Sequence, residues 1–250
     1  MIEYDGKYND IYPGEAKTFI LDYLNGLTEE TSIKDNNKMN TIKKSGINEN
    51  YLHFLTKFYK KGYSLISDLF CGILKTKNYC QKCNDIYSIN FHSFKILDLP
   101  LYYLAINNKN KILNIEDILN DFFSKKKISN LLCKNCNENY YTKTDIYKLP
   151  NYLIIYFKRK VDNYYIKNEI KNIQTINFAK FLEEEKPNNF NYNLKSTIYH
   201  SFDSSNIGHY TSTCLIDDKW YYFDDNKFYF SKEYIKYKED NSILLFYEKK

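Results

Sequence analysis

An α+β fold follows from three features of the 250-residue chain. Amphipathic helical periodicity lies before residue 125, alternating β-branched and aromatic runs fill the chain from Tyr140 onward, and two Cys-x-x-Cys pairs lie at 80–83 and 133–136. With 43% hydrophobic residues, 27 tyrosines and 17 phenylalanines, the composition is that of a folded, aromatic-rich protein.

Ala16, Phe19, Ile20, Tyr23, Leu24 and Leu27 recur at i, i+3, i+4, i+7, i+8 and i+11, which predicts an amphipathic helix over 14–27 entered through Pro13. Residues 28–50 are polar and irregular. Leu52, Leu55, Phe58 and Tyr59 form a second apolar-periodic stretch ahead of Ile66–Leu74, and the alternation from Tyr87 to Leu97 predicts a strand. A third helix is expected at 115–124, where Ile115, Ile118, Leu119, Phe122 and Phe123 share a face behind Asn114 as cap. Strands follow at 141–148, 152–159, 192–200, 208–216, 219–224 and 242–248, with Glu183–Asn189 as a surface loop.

The net charge of +5 is mild for this length and lacks the arginine clustering of a nucleic-acid binder; many lysines sit beside asparagines, as in Asn107-Asn108-Lys109-Asn110, and read as solvated loops. No apolar run approaches the roughly 20 residues that span a bilayer, and Met1-Ile2-Glu3-Tyr4-Asp5 has neither a basic start nor an apolar core, so a soluble, intracellular protein without a membrane partner is expected.

Of six cysteines, four form the pairs Cys80-Gln81-Lys82-Cys83 and Cys133-Lys134-Asn135-Cys136. Each pair can present two thiolates to one tetrahedral ion, as in zinc ribbons, and in a chain without a secretory signal one structural Zn2+ is a better reading than three disulfides. The intervening loop of 49 residues requires long strands that return to each other. A redox pair or four unrelated buried thiols are the alternatives; a thioredoxin-like motif would follow a strand and open a helix, and neither pair does.

Of the four histidines, His53, His92 and His200 lie in apolar or strand-like settings that suit structural roles, whereas His209 sits in Gly208-His209-Tyr210 with Asp224 and Asp225 on the next predicted strand. Gly208 would let the backbone approach a substrate, and a carboxylate can hold the imidazole in the tautomer a nucleophile needs.

Gly208-His209-Tyr210-Thr211, Trp220-Tyr221-Tyr222-Phe223-Asp224-Asp225 and Leu245-Phe246-Tyr247-Glu248 together resemble the histidine box and C-terminal strand of ubiquitin-specific proteases. The resemblance extends through Tyr192-x-Leu194 to His200, Leu149-Pro150-Asn151-Tyr152-Leu153-Ile154-Ile155-Tyr156-Phe157-Lys158-Arg159, Leu69-Phe70-Cys71-Gly72 and the paired knuckles, covering about Pro13 to Glu248. It implies a papain-like cysteine protease fold with a palm and zinc-ribbon fingers: a single catalytic domain over 1–250, N-terminally incomplete and lacking most of its thumb, with fingers at 75–145. It further implies His209 as general base, Asp224 as its orienting group, Asp225 as a support, and Gly208 and Tyr210 as substrate-binding. Loop 201–208 corresponds to a blocking loop, and ubiquitin or ubiquitinated proteins are the implied partners.

Two departures accompany the resemblance. The family's nucleophile lies in a Gly-Asn-Thr-Cys-Tyr-like box ahead of the first amphipathic helix, and the chain is expected to begin after it. Cys214, five residues beyond His209 on one strand, points to the opposite face, and Cys71 lies in an apolar Phe-Cys-Gly setting, so neither replaces that cysteine. In the helix-opening motif Glu15 keeps one of the two acids that the family uses to bind arginines of the ubiquitin tail, but Thr18 replaces the other, removing a contact of roughly 1.5–3 kcal/mol. The chain alone is expected to be inactive. It is either the incomplete chain of a deubiquitinase or a pseudoenzyme that binds ubiquitin or acts as a scaffold, with a zinc-ribbon nucleic-acid protein a distant third. Bare apolar surface on helix 14–27 would lower the solubility or stability of the isolated chain.

Overall fold

The computed structural model describes residues 15–33, 49–59, 64–108, 112–162, 164–183, 190–202, 208–231, 233 and 241–250. In chain order they form helices α1 (Ala16–Glu30), α2 (Glu49–Tyr59) and α3 (Leu65–Phe70), strands β1 (Gly72–Cys80), β2 (Ile86–Phe94) and β3 (Ile96–Pro100), helix α4 (Tyr102–Asn107), strand β4 (Ile112–Asn114) and helix α5 (Ile115–Phe122). Strands β5 (Lys126–Leu132), β6 (Asn139–Lys148), β7 (Tyr152–Lys158), β8 (Lys160–Val161), β9 (Tyr164–Tyr165), β10 (Glu169–Lys171) and β11 (Thr175–Asn177) follow, then β12 (Asn191–Phe202), β13 (Gly208–Ile216), β14 (Lys219–Asp224), β15 (Lys227–Ser231) and β16 (Ser242–Lys249). The fold is α+β. The chain divides into two compact units, one of Met1–Lys95, Ser124–Asn151 and Phe181–Glu184, the other of Ile96–Phe123, Tyr152–Lys180 and Glu185–Lys250.

The first unit holds α1, α2, α3 and a four-stranded antiparallel sheet ordered β2-β1-β6-β5. Helix α1 runs to Glu30, three residues past its expected end, and the Thr28 and Thr31 hydroxyls donate back to the carbonyls of Leu24 and Leu27 at 2.6 and 2.7 Å. Of its apolar stripe only Leu24 is buried; Phe19 and Tyr23 stack on each other and remain 41% and 43% exposed. Pro13 and residues 34–48 lie outside the described residues. Helix α2 is fastened to the sheet through Tyr51, whose ring lies 4.9 Å from Phe91 and 4.4 Å from Tyr147; burial, then the Tyr147 phenol, pushes the Tyr51 hydroxyl up to about 12. Ser64 caps α3 by accepting from the Ile66 N–H at 3.2 Å.

The expected strand from Tyr87 to Leu97 is two strands that belong to different units, divided at Lys95. The Lys95 ammonium turns back to α1, donating to Thr28 Oγ1 at 2.7 Å and Asn25 Oδ1 at 2.9 Å. Alternation carries across the bend from Phe91, the buried residue of β2, to Leu97 and Leu99 on β3, and a period of two reports faces rather than sheet membership.

The second unit is built on an eight-stranded sheet ordered β15-β14-β13-β12-β16-β7-β3, with β11 paired to the start of β12. Within this sheet β3 and β7 run parallel, and β7, β16, β12, β13, β14 and β15 form an antiparallel series; outside it β10 pairs parallel with β4. The buried central strands read as apolar runs, Leu153-Ile154-Ile155 on β7 and Ile243-Leu244-Leu245 on β16. Helix α5, capped by Asn114 Oδ1 accepting from the Glu116 N–H at 3.0 Å, buries Ile115, Ile118 and Leu119 and packs on β3. The β13–β14 turn, Asp217-Asp218, has positive φ at both residues (47° and 59°), the signature of a type I′ hairpin.

Arg159, 1% exposed, ties β7 to its neighbours. Its Nε donates to the Ser242 carbonyl at 2.7 Å and its Nη1 to the carbonyls of Ile166 and Asn168, both at 2.9 Å. Arg159→Met fills similar space but leaves these carbonyls without that donor, at about 1–3 kcal/mol for an unsatisfied buried group. Urea unfolding is expected to show a stability loss of about 3 kcal/mol; a loss under 1 kcal/mol would mean the carbonyls find other donors.

Candidate functional site

His209 and Asp224 are brought together by strand register. On β13, His209 shares parity with the buried Thr211 and Thr213; on β14, Asp224 shares parity with the buried Trp220 and Tyr222. Pairing of Ser212 with Phe223 puts the two sets on one face of the sheet. At the end of that face His209 Nε2 lies 2.6 Å from Asp224 Oδ1, with both side chains about two-fifths exposed (44% and 40%). An ionised carboxylate only accepts, so Nε2 carries the proton and Nδ1 is the nitrogen left for a reacting group. Asp225, at positive φ (51°) in the turn to β15, places a carboxylate oxygen within 4.8 Å of the His209 and Asp224 ligand atoms.

Gly208 opens β13, and the space beside it is already taken: a Cβ there would lie 2.4 Å from His200 Nε2. His200, on β12, also stacks on Tyr210 with ring centroids 4.2 Å apart and planes 5° from parallel. The strand-like setting of His200 in sequence suits such a structural role. Residues 203–207 of the expected blocking loop lie outside the described residues; Ser201 and Phe202 end β12.

Glu15 belongs to the first unit, at the N-terminal boundary of α1, where its Oε2 accepts from the Thr18 hydroxyl at 3.4 Å. The residue that departs from the family pattern thus engages the one that keeps it.

All six cysteines are free, and of them Cys214 alone belongs to the same unit as His209. Cys214 lies on the opposite face of β13, its Sγ 3.1 Å from Ser196 Oγ. Cys71, 5% exposed in the first unit, has its thiol pushed up by burial, with the Lys95 ammonium opposing. The other four converge at the tip of the four-stranded sheet.

Those four thiols form a cage, with Sγ–Sγ distances of 3.3 Å for Cys80–Cys136, 3.5 Å for Cys83–Cys133 and 3.6 Å for Cys83–Cys136. A tetrahedron around an ion with bonds of about 2.3 Å has edges of about 3.8 Å, so these sulfurs already lie within about half an ångström of the spacing such an ion requires. The two knuckles repeat one backbone design. The Cys80 N–H donates to the Asp85 carbonyl at 2.8 Å and the Cys133 N–H to the Glu138 carbonyl at 2.7 Å, while Asn84 and Asn137 both take φ of 58°. The repeat is visible in sequence as Cys-x-x-Cys-Asn followed by an acid, two residues longer than the motif first read. Burial pushes the Cys133 thiol up, but the Asn135 N–H, the Tyr140 hydroxyl and the Cys136 N–H outweigh it and hold it at about 6. The Tyr140 hydroxyl donates its proton to Asp85 Oδ2 at 2.5 Å, a support beyond the sulfurs. The cluster can bind a metal ion.

Fold and site together define a mixed α/β protein carrying a four-cysteine cluster and a histidine–carboxylate pair. The ubiquitin carboxyl-terminal hydrolase profile matches residues 15–247, and the chain belongs to this family, as ubiquitin-specific proteases do. It is 27% identical over 229 residues to a probable ubiquitin carboxyl-terminal hydrolase of Acanthamoeba polyphaga mimivirus, covering 81% of this chain and 48% of the relative. Ubiquitin carboxyl-terminal hydrolase 2 of Gallus gallus is 24% identical over 260 residues, covering 96% and 69%. Among solved structures, a chain of the SAGA Ubp8/Sgf11/Sus1/Sgf73 DUB module superposes with TM-score 0.73 at 20% identity, over 98% of this chain and 52% of that one. The same module bound to ubiquitin aldehyde gives 0.61 at 20% identity, over 80% and 48%. The chain spans about half the length of the mimiviral relative and of the module chains it matches. Among the described residues, no helix is long and apolar enough to cross a membrane.

The two cysteines outside the cage should differ in reactivity. A raised pKa lowers the thiolate fraction tenfold per unit, and burial excludes the reagent as well. Brief iodoacetamide treatment of the metal-loaded protein at neutral pH is expected to alkylate Cys214 first and Cys71 only on denaturation, as read by peptide mass spectrometry. Early labelling of Cys71 would refute its assignment as an inert core thiol.

Proposed function

We propose that this chain carries the base, the orienting acid and the metal-bound fingers of a ubiquitin-processing thiol hydrolase, with the nucleophilic cysteine supplied from outside its own six. The 2.6 Å contact between His209 Nε2 and Asp224 Oδ1, in a member of the ubiquitin carboxyl-terminal hydrolase family, supports this most directly. Bound at Nε2, the imidazole has Nδ1 for an incoming thiol. His209 takes the thiol proton; the thiolate adds to the carbonyl carbon of ubiquitin's C-terminal glycine; as the tetrahedral species collapses, His209 returns the proton to the leaving lysine amine. Water then hydrolyses the thioester, with His209 as base. Asp224 holds the ring and stabilises its protonated form, and Asp225 adds negative charge beside it.

Ubiquitin, or proteins conjugated to it inside the cell, is the partner this reading assigns. The solved module of the same fold bound to ubiquitin aldehyde supports it. Glu15, Gly208 and Tyr210 would meet the ubiquitin tail, with Thr18 leaving one fewer acid than the family pattern. A second reading, a pseudoenzyme that binds ubiquitin without cleaving it, is favoured by one observation: Cys214, the cysteine in the same unit as His209, lies on the opposite face of β13.

Titration of 15N-ubiquitin with the 250-residue chain is expected to shift the ubiquitin C-terminal tail most, while an amide-linked ubiquitin–fluorophore stays uncleaved. Absence of binding would overturn the ubiquitin reading, and cleavage by the chain alone would overturn the assignment of an outside nucleophile. Labelling of the native cellular protein by ubiquitin bearing a C-terminal electrophile separates the hydrolase, which reacts, from the pseudoenzyme, which does not.

The cation assigned to the thiol cage is one structural Zn2+, held by Cys80, Cys83, Cys133 and Cys136. Four thiolates around one ion suit zinc, which has no geometric preference of its own and accepts the tetrahedron offered. Elemental analysis is expected to find one zinc per chain, with Cys83→Ser losing most of it and melting at lower temperature. Full zinc retention in Cys83→Ser, or none in the unmutated protein, would reject the site.

A further inference from the structure

Beyond the histidine and its acid, the geometry points to His200 as a positioning residue for His209. The β13–β14 ladder runs from Ile216–Lys219 to Ser212–Phe223 and includes none of Gly208, His209, Tyr210 and Thr211. Those four residues pair only with β12 in the described ladders, where Phe202 opposes Gly208, Ser201 opposes His209 and His200 opposes Tyr210. His209 therefore projects from a strand end supported along one edge, yet its ring must meet Asp224 on the strand from which that end has separated.

His200 acts on both neighbours of His209 from the sheet's other face. Its Nε2 fills the position that a Cβ at residue 208 would need, 2.4 Å away, and its ring stacks on Tyr210 at 4.2 Å and 5°. Gly208 and Tyr210 flank His209 and share a parity opposite to its own. The His200 ring thus lies against the Gly208 backbone one residue before His209 and against the Tyr210 ring one residue after it, on the face away from Asp224, and limits rotation of the strand end about its own axis. Asp224 restrains the imidazole tip and His200 restrains its base. On this account Gly208 is glycine because His200 occupies the room a side chain would take.

The inference rests on the reading of His209 as base, and its test uses no catalysis. In the 15N-histidine-labelled chain, the proton on His209 Nε2 is shielded by its bond to Asp224 and gives a resonance exchanging slowly with water. His200→Ala is expected to speed that exchange at least tenfold while amides of Thr213 and Cys214, farther along β13, keep their shifts. His200→Phe preserves bulk and stack and is expected to retain the slow proton. Gly208→Ala displaces the His200 ring and should match His200→Ala, and the double variant should be no worse than either single one, since both remove one contact. Unchanged exchange in His200→Ala, or additive effects in the double variant, overturns the inference and leaves the His209–Asp224 reading intact. A fast-exchanging proton in the unmutated chain overturns that reading, and the role of His200 falls with it.

Discussion

The register of the β13–β14 hairpin is the constraint on which the site depends. A strand alternates faces with a period of two, so slipping β14 by one residue would send Asp224 to the face opposite His209 and expose Trp220 and Tyr222 in place of their neighbours. Two features hold the register. The buried pair Thr213 and Tyr222 lies on the inner face, and the Asp217-Asp218 turn, with both residues at positive φ, admits a two-residue connection only. Aspartate tolerates that conformation through its short polar side chain, so a surface turn with no chemistry of its own determines whether an imidazole meets a carboxylate at the strands' far end.

The thiol cage solves a related problem in the first unit. Strands β1 and β6 run side by side from Ile73–Lys148 to Cys80–Tyr140, and the segment between the knuckles is long enough to pass through β3, α4, β4 and α5 of the second unit before returning. Closing so long a loop is entropically costly, and apolar contact at the narrow tip is small, comprising Cys80, Cys133 and Tyr140 with Ile128 and Leu131 beside them. A cation binding all four sulfurs concentrates stabilisation where hydrophobic burial is least available, which is the usual circumstance of small ribbons.

How much was legible in the sequence divides along physical lines. From Asn139 onward the long strands are legible almost to the residue, 208–216 and 219–224 coinciding with β13 and β14, because one buried face imposes alternation over many positions; β1 and β5 are not, and β5 buries no side chain that would impose it. Strands β8, β9, β10 and β11, two or three residues each, are too short for a period to register, and α4 is a six-residue helix with no buried side chain. Strand β15 was missed for another reason. Phe228, Tyr229 and Phe230 are all exposed, so its sequence carries no alternation between polar and apolar positions. The site separates similarly. His209, Asp224 and the four cysteines declare themselves by residue type and spacing, whereas His200 and Tyr140 act through neighbours distant in sequence, and only the pairing of strands reveals them. Arg159 was visible as part of a motif, but its role in linking β7 to Ser242 and the segment 166–168 depends on burial.

The energetics of the histidine–carboxylate pair bear on why it exists. Both partners are about two-fifths exposed, and an exposed ion pair contributes roughly 0–1 kcal/mol even when its geometry is good. The same strand end is left without β14 as a partner, so the fold supplies little reason of stability for an imidazole to reach across that gap. Elsewhere the molecule removes polar groups from such positions or buries them against carbonyls, as it does with Arg159. A pair that adds so little to folding, fixed at 2.6 Å with Nδ1 left over, is better accounted for by the chemistry proposed for that nitrogen than by the stability of the sheet. By contrast the cage is justified by stability alone. The two clusters of titratable groups therefore rest on different physical grounds, and loss of function at one need not accompany loss of fold at the other.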